Sequence, residues 1–113
     1  MNKVSSISEY FDRLGERFIS SEAKGVSCVI QYDFSGDNSG HFHFAVEDGK
    51  LGPVTAGEHP NPSVTITMKG EHFLQMGNGE LDGAKAYMTR KMKVKGKIPL
   101  AQKMKKFLPP AGE

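Results

Sequence analysis

With 113 residues, 37% of them apolar and 25% charged, the sequence suits one domain that buries roughly two-thirds of its unfolded surface, and it is too apolar to be disordered. No apolar run approaches the ~20 residues of a membrane-spanning helix, and Met1–Ser6 lacks the layout of a secretory signal, so a cytoplasmic protein is expected. Cys28 is the lone cysteine, which excludes an internal disulfide and a cysteine-built zinc site. The net charge of +2 hides an asymmetry, with six basic and eleven acidic residues before Leu81 and nine basic and two acidic from Leu81 onward.

Ile7, Tyr10, Phe11, Leu14, Phe18 and Ile19 fall at helical spacing, opposite Glu9, Asp12, Arg13, Glu16 and Arg17. That pattern predicts an amphipathic helix from Ser6 to about Ser21, capped by Ser6 or Ser8. After Gly25 the period becomes two. Val26, Cys28, Ile30, Tyr32 and Phe34 alternate with Ser27, Gln31, Asp33 and Ser35, broken only by Val29, and beyond the turn-forming run Gly36–Gly40, Phe42, Phe44 and Val46 alternate with His41, His43, Ala45 and Glu47. Two strands joined as a hairpin follow. Asp48-Gly49 predicts a second tight turn into a short strand near Leu51–Thr55, and Val64, Ile66 and Met68 mark another strand after a loop at Gly57–Pro62.

From Gly70 the pattern is helical again: two turns ending at Gly77-Asn78-Gly79, then a short helix capped by Asp82 and carrying Ala84, Tyr87 and Met88. Met92 and Val94 alternate with Lys91, Lys93 and Lys95 in a fifth strand that ends at Gly96. Pro99 suits the start of a last helix bearing Leu100, Met104, Phe107 and Leu108, with Pro109-Pro110 as its stop. No internal repeat or linker appears, so residues 1–113 read as a single domain. Its class is α+β, with helices on one face of a five-stranded, mostly antiparallel sheet.

Val64-Thr65-Ile66-Thr67-Met68 before a short helix with Phe73-Leu74, then Gly79-Glu80-Leu81, Ala86-Tyr87-Met88, the run Arg90 to Gly96, and Leu100-Ala101-Gln102-Lys103-Met104 together resemble the sterol carrier protein type 2 family. The resemblance covers nearly the whole chain. Arg90 stands where that family often has glycine. The resemblance implies a hydrophobic tunnel between helices and sheet that accepts fatty acids, acyl-CoA esters, phospholipids or sterols, with no catalytic residue and no cofactor.

Flexible methionine and aromatic side chains suit such a cavity because they adapt to cargo of different shape. The expected ligand-contacting residues are Phe73, Met76, Tyr87, Met88, Met92, Met104, Phe107 and Leu108, with Ile30, Tyr32 and Phe44 from the sheet face. Lys93, Lys95, Lys97, Lys103 and Lys106 are expected to meet anionic headgroups, with Lys105 nearby. A solvated basic surface and ordinary core methionines are the bland alternatives. His41 and His43 share a strand face, but no carboxylate follows at telling distance and no metal is expected. Cys28 reads as an inert core thiol. The expected partners are a long-chain lipid and, transiently, an anionic membrane, with a monomer or homodimer as the working unit. A module presenting lipid to an enzyme is an alternative. A nucleic-acid binder fits poorly, since Phe42 and Phe44 alternate as core strands do, and an acyl-thioester enzyme lacks a nucleophile with a base at recognisable spacing.

Overall fold

The alternation of the strands sets the architecture, because each one directs its apolar residues to the same side and a layer of helices lies there. A computed structural model describes residues 4–36 and 39–108. The order is α1 (Ile7–Asp12), α2 (Leu14–Arg17), a 3-10 turn (Ser20–Ala23), β1 (Ser27–Ser35), β2 (Gly40–Glu47), β3 (Lys50–Leu51), β4 (Thr55–Ala56) and β5 (Val64–Lys69). It continues with α3 (Gly70–Gly77), α4 (Gly83–Met88), β6 (Met92–Gly96) and α5 (Ile98–Phe107). Strands pair in the order β3-β2-β1-β5-β6, with β4 also on β2. The α+β class and the strand positions agree with the sequence reading. The Pro109-Pro110 stop lies outside the described residues.

Three local outcomes differ from the pattern. The first helix is broken. Ser6 caps α1 by accepting from the Glu9 N–H at 3.1 Å, but Arg13 leaves helical geometry and Phe18 is extended, so that its ring meets Phe107 at 6.0 Å between centroids. Gly15 in the second segment weakens the helix further, by about 1 kcal/mol relative to alanine. Ile19, assigned by spacing to the apolar stripe, is exposed. Second, the strand expected near Leu51–Thr55 is two short pieces, β3 and β4, separated by Pro53, which has no N–H to give a ladder.

Third, the central pairing is parallel. β5 runs alongside β1 in the same direction, with Ile30 opposite Val64 and Phe34 opposite Met68. The 57–62 loop crosses the outer face of the sheet, where the His59 N–H donates to the side-chain oxygen of buried Gln31 at 2.8 Å. Ser63 then clamps onto Val29 twice, its N–H donating to the Val29 carbonyl and its hydroxyl accepting from the Val29 N–H, both at 2.9 Å. That landing point fixes the direction of β5.

The core lies between the sheet and α1, α3 and α5, and Phe73 of α3 is its aromatic centre. Its ring sits 4.7 Å from Tyr10, 4.7 Å from Phe34 and 5.0 Å from Tyr32. At the opposite edge, Gly96 ends β6 with φ +100°, and a Cβ there would lie 2.5 Å from the Ser63 carbonyl oxygen. This close approach lets the Lys97 N–H donate to that same oxygen at 3.1 Å, which starts α5 in the right place. Gly96→Ala is expected to lower stability by about 1–3 kcal/mol, read as a reduced urea midpoint. A midpoint equal to wild type would contradict this role.

Candidate functional site

The helices do not cover the sheet evenly. Over β1 and β2 the inward side chains Ile30, Phe44 and Val46 are fully buried. At the other edge, Met92 and Val94 of β6 remain only half-buried. Between that edge and α3, α4 and α5 lies a cavity of about 690 Å³, within the size range of sites for small organic ligands.

Its floor is Tyr32 of β1, Ile66 of β5, and Met92 and Val94 of β6, with Tyr10 of α1 and Phe73 of α3 closing the inner end. One wall is Met76, Gly77, Leu81 and the first and last turns of α4. The facing wall is α5, through Ile98, Ala101, Met104 and Leu108. The space opens to solvent where Tyr87, Met88 and Ile98 stay exposed. The charged side chains in the wall are Asp82 and Lys105, which pair across it at 3.6 Å. Asp82 also caps α4 by accepting from the Lys85 N–H at 3.1 Å, and that hydrogen bond holds its carboxyl below the usual aspartate range, helped by Lys105.

Of the residues expected to meet a ligand, Tyr32, Phe73, Met76, Tyr87, Met88, Met92, Met104 and Leu108 share this cavity. Ile30, Phe44 and Phe107 do not line it. Ile30 and Phe44 face each other across the β1–β2 pair and are fully buried, and Phe107 packs on Phe18. All three point inward, but in the half of the layer that is filled. Tyr10, Ile66, Leu81, Val94, Ile98 and Ala101 also border the cavity and are not among the expected contacts; Tyr10, Ile66 and Val94 read only as members of apolar helix or strand faces.

The lysines are divided by the sheet. Lys93 and Lys95 alternate with Met92 and Val94 and so occupy the outer face, whereas Lys103 and Lys106 lie on α5 in the helix layer and Lys97 precedes its first turn. They do not form one patch, and Lys105, rather than any of these five, reaches the cavity.

Arg17 departs most from the sequence reading, which placed it on the solvent side of the helix. It is 2% exposed. Its Nη1 donates to the Gly77 carbonyl, and its guanidinium carbon lies 4.8 Å from the centre of the Tyr10 ring. A cation suits the carbonyl end of α3 and the face of an aromatic ring. Its Nη2 is buried without a hydrogen-bond partner among the described residues. Arg17 therefore braces the inner end of the cavity from behind Tyr10 and Gly77. Helical spacing carries no signal of this, because the helix breaks at Arg13.

On the far face of the sheet, the β1–β2 register brings His41 opposite Asp33, a carboxylate not evident from linear spacing. Its Nδ1 lies 2.7 Å from the Asp33 carboxylate and 3.9 Å from that of Glu58. The hydrogen bond to Asp33 raises the proton affinity of His41. This group lies across the sheet from the cavity. Cys28 is buried in the core, and burial pushes its thiol pKa up.

Residues 11–109 match the SCP-2 sterol transfer family. The chain belongs to that family. It is 30% identical over 105 residues to the hydroxysteroid dehydrogenase-like protein 2 of Xenopus tropicalis, covering 92% of this chain and 25% of that protein. The chain thus spans about a quarter of the length of the curated relatives it matches. A structure of palmitated SCP2L2 from Aedes aegypti superposes with a TM-score of 0.66 at 23% identity, over 88% of this chain and 87% of that one. The sec-alkylsulfatase Pisa1 from Pseudomonas sp. contains the same fold, with a TM-score of 0.77 at 21% identity over 88% of this chain and 16% of that one.

Two buried tyrosines, Tyr10 and Tyr32, border the cavity. Burial pushes the Tyr10 pKa up from 10.0 to about 12, with the Arg17 charge opposing it, and raises that of Tyr32 well above the ordinary value, with Tyr10 adding to it. The folded protein therefore keeps protons that the unfolded chain releases near pH 10. Their contribution to stability is fully present below that pH and falls as pH rises toward about 12. Urea midpoints are expected to decline over this window, and Tyr10→Phe to make the decline shallower. An unchanged slope in the variant would contradict the assignment.

Proposed function

We propose that the chain is a non-enzymatic carrier that binds one long-chain lipid in the cavity between sheet and helices and releases it elsewhere. The observation that supports this most is the 690 Å³ cavity whose floor and walls are apolar, and whose two charged members are already paired with each other. The related Aedes aegypti protein is palmitated in its solved structure, which supports an acyl chain as cargo. Fatty acids, acyl-CoA esters, phospholipids and sterols all carry the apolar body that such walls accept.

Each methylene transferred from water into an apolar space gains about 0.8 kcal/mol, so a long acyl chain gains on the order of 10 kcal/mol before ordering costs. A bilayer offers a similar gain. A carrier exchanging lipid with membranes needs walls about as favourable as the bilayer and able to adapt to the guest, and Met76, Met88, Met92 and Met104 supply that adaptability.

A second reading has its own support. The matched relatives are about four times as long as this chain and are named dehydrogenase-like, so the domain also fits the role of presenting lipid to an enzyme. The cavity would serve in the same way, with the partner drawing on its mouth.

Ala101 lies on the α5 wall of the cavity, where a larger side chain would occupy the space without disturbing the Phe73 cluster. Ala101→Phe is expected to weaken displacement of a fluorescent fatty acid by palmitate about ten-fold or more, with the melting temperature of the unliganded protein preserved. Equal affinity in variant and wild type would count against the cavity as the site.

A further inference from the structure

Large apolar side chains left in water are uncommon on this molecule, and most of those among the described residues gather at one place. Met88 is 79% exposed, Tyr87 46% and Ile98 42%. All three belong to the rim of the cavity. Covering them from within the domain would close the mouth.

The chain segments that carry this rim are basic. From residue 81 to 108 there are nine basic residues and a single acid, Asp82, whose carboxylate is already held by Lys105 and the α4 N-terminus. Lys85, Arg90, Lys91 and Lys97 are all exposed. The Arg90 N–H donates to the Tyr87 carbonyl at 3.2 Å and the Lys91 N–H to that of Ala86 at 2.8 Å, so the turn carrying both cations folds back against the helix that ends with Tyr87 and Met88. Lys97 immediately precedes Ile98. Arg90 holds its position in the left-handed region, at φ 63°, a backbone conformation that glycine adopts without strain. A long cationic side chain therefore occupies a site where local backbone preference opposes it.

We propose that this rim is the surface by which the protein docks on an anionic bilayer. Met88 and Tyr87 enter the headgroup boundary, Arg90, Lys91 and Lys97 pair with anionic headgroups around them, and the cavity mouth faces the lipids. Apolar insertion and charge pairing are each weak alone and combine into reversible attachment, which a carrier requires. Lys93 and Lys95, on the outer face of the sheet, have no part in it. The inference rests on the reading of the cavity as a lipid site, since docking there matters only if the mouth delivers something.

The test is co-sedimentation with sucrose-loaded vesicles of phosphatidylcholine, with and without phosphatidylserine, beside uptake of a fluorescent fatty acid in the same preparations. The wild type is expected to bind the phosphatidylserine vesicles and leave the neutral ones. Arg90→Gly should weaken that binding about five-fold, as loss of one headgroup-paired cation predicts, while raising the melting temperature because the left-handed position is relieved. Met88→Asp, at a side chain mostly in water, should fold with its melting temperature preserved and weaken vesicle binding at least as much. Lys95→Gln, which also removes one charge but on the outer face, should bind like wild type.

Equal losses in Arg90→Gly and Lys95→Gln would reduce the effect to net charge and overturn the proposal, as would wild-type binding by Met88→Asp. Uptake of fatty acid without any vesicle binding would overturn the docking surface and leave the carrier reading standing. Vesicle binding in the predicted order with no fatty-acid uptake would support the docking surface and overturn the carrier reading.

Discussion

The apolar face of the sheet is wider than the helix layer laid on it, and the rest of the molecule follows from that mismatch. Over β2 and most of β1 the inward side chains Ile30, Phe44 and Val46 are buried, and the open space begins at Tyr32. Over β5 and β6 the layer is spanned by α4 and α5, which reach the strands only at the margins of the cavity. Filling the space with protein would gain packing energy, roughly 1.5–3 kcal/mol for each large side chain brought out of water. The fold forgoes that gain along one edge, and Met92, Val94 and the rim residues remain partly wet as a result.

Keeping such a space open requires support around it, and the supports are mostly polar. Gly96 brings the end of β6 against Ser63 and thereby sets where α5 begins. Asp82 fixes the start of α4 and ties it to α5 through Lys105. Arg17, buried at the carbonyl end of α3, props the inner end behind Tyr10. The Asp82–Lys105 pair lies in the cavity wall, and Arg17 holds two of its lining residues, Tyr10 and Gly77. The inner half of the domain is held by hydrophobic packing, and its open half by a few directional contacts.

Much of this was legible in the chain and some was not, for identifiable reasons. Period-two alternation in Cys28–Phe34, Phe42–Val46 and Val64–Met68 placed three strands and their inner faces correctly, because a strand with one buried face leaves that trace. Asp82 and Pro99 announced two helix starts through capping and backbone chemistry. The direction of β5 depends on Ser63 meeting Val29, a contact between residues 34 positions apart, and no periodicity records it. Apolar spacing also does not distinguish a side chain that meets a partner from one that faces a gap. Phe44 and Met92 carry the same alternating signal, yet one is fully buried and the other borders the cavity. Arg17 was misread because a helical wheel assumes an unbroken helix, and the break at Arg13 turns it inward.

The claim that a guest occupies the unfilled half of the layer is tested most directly through the methionine methyl groups. Met76, Met88, Met92 and Met104 border the cavity, while Met68 is buried in β5 and does not border it, which provides an internal control. In protein labelled with ¹³C at the methionine methyls, titration with palmitate is expected to shift the four cavity signals and leave that of Met68 in place. Four unmoved cavity signals, or a Met68 shift as large as theirs, would contradict the account.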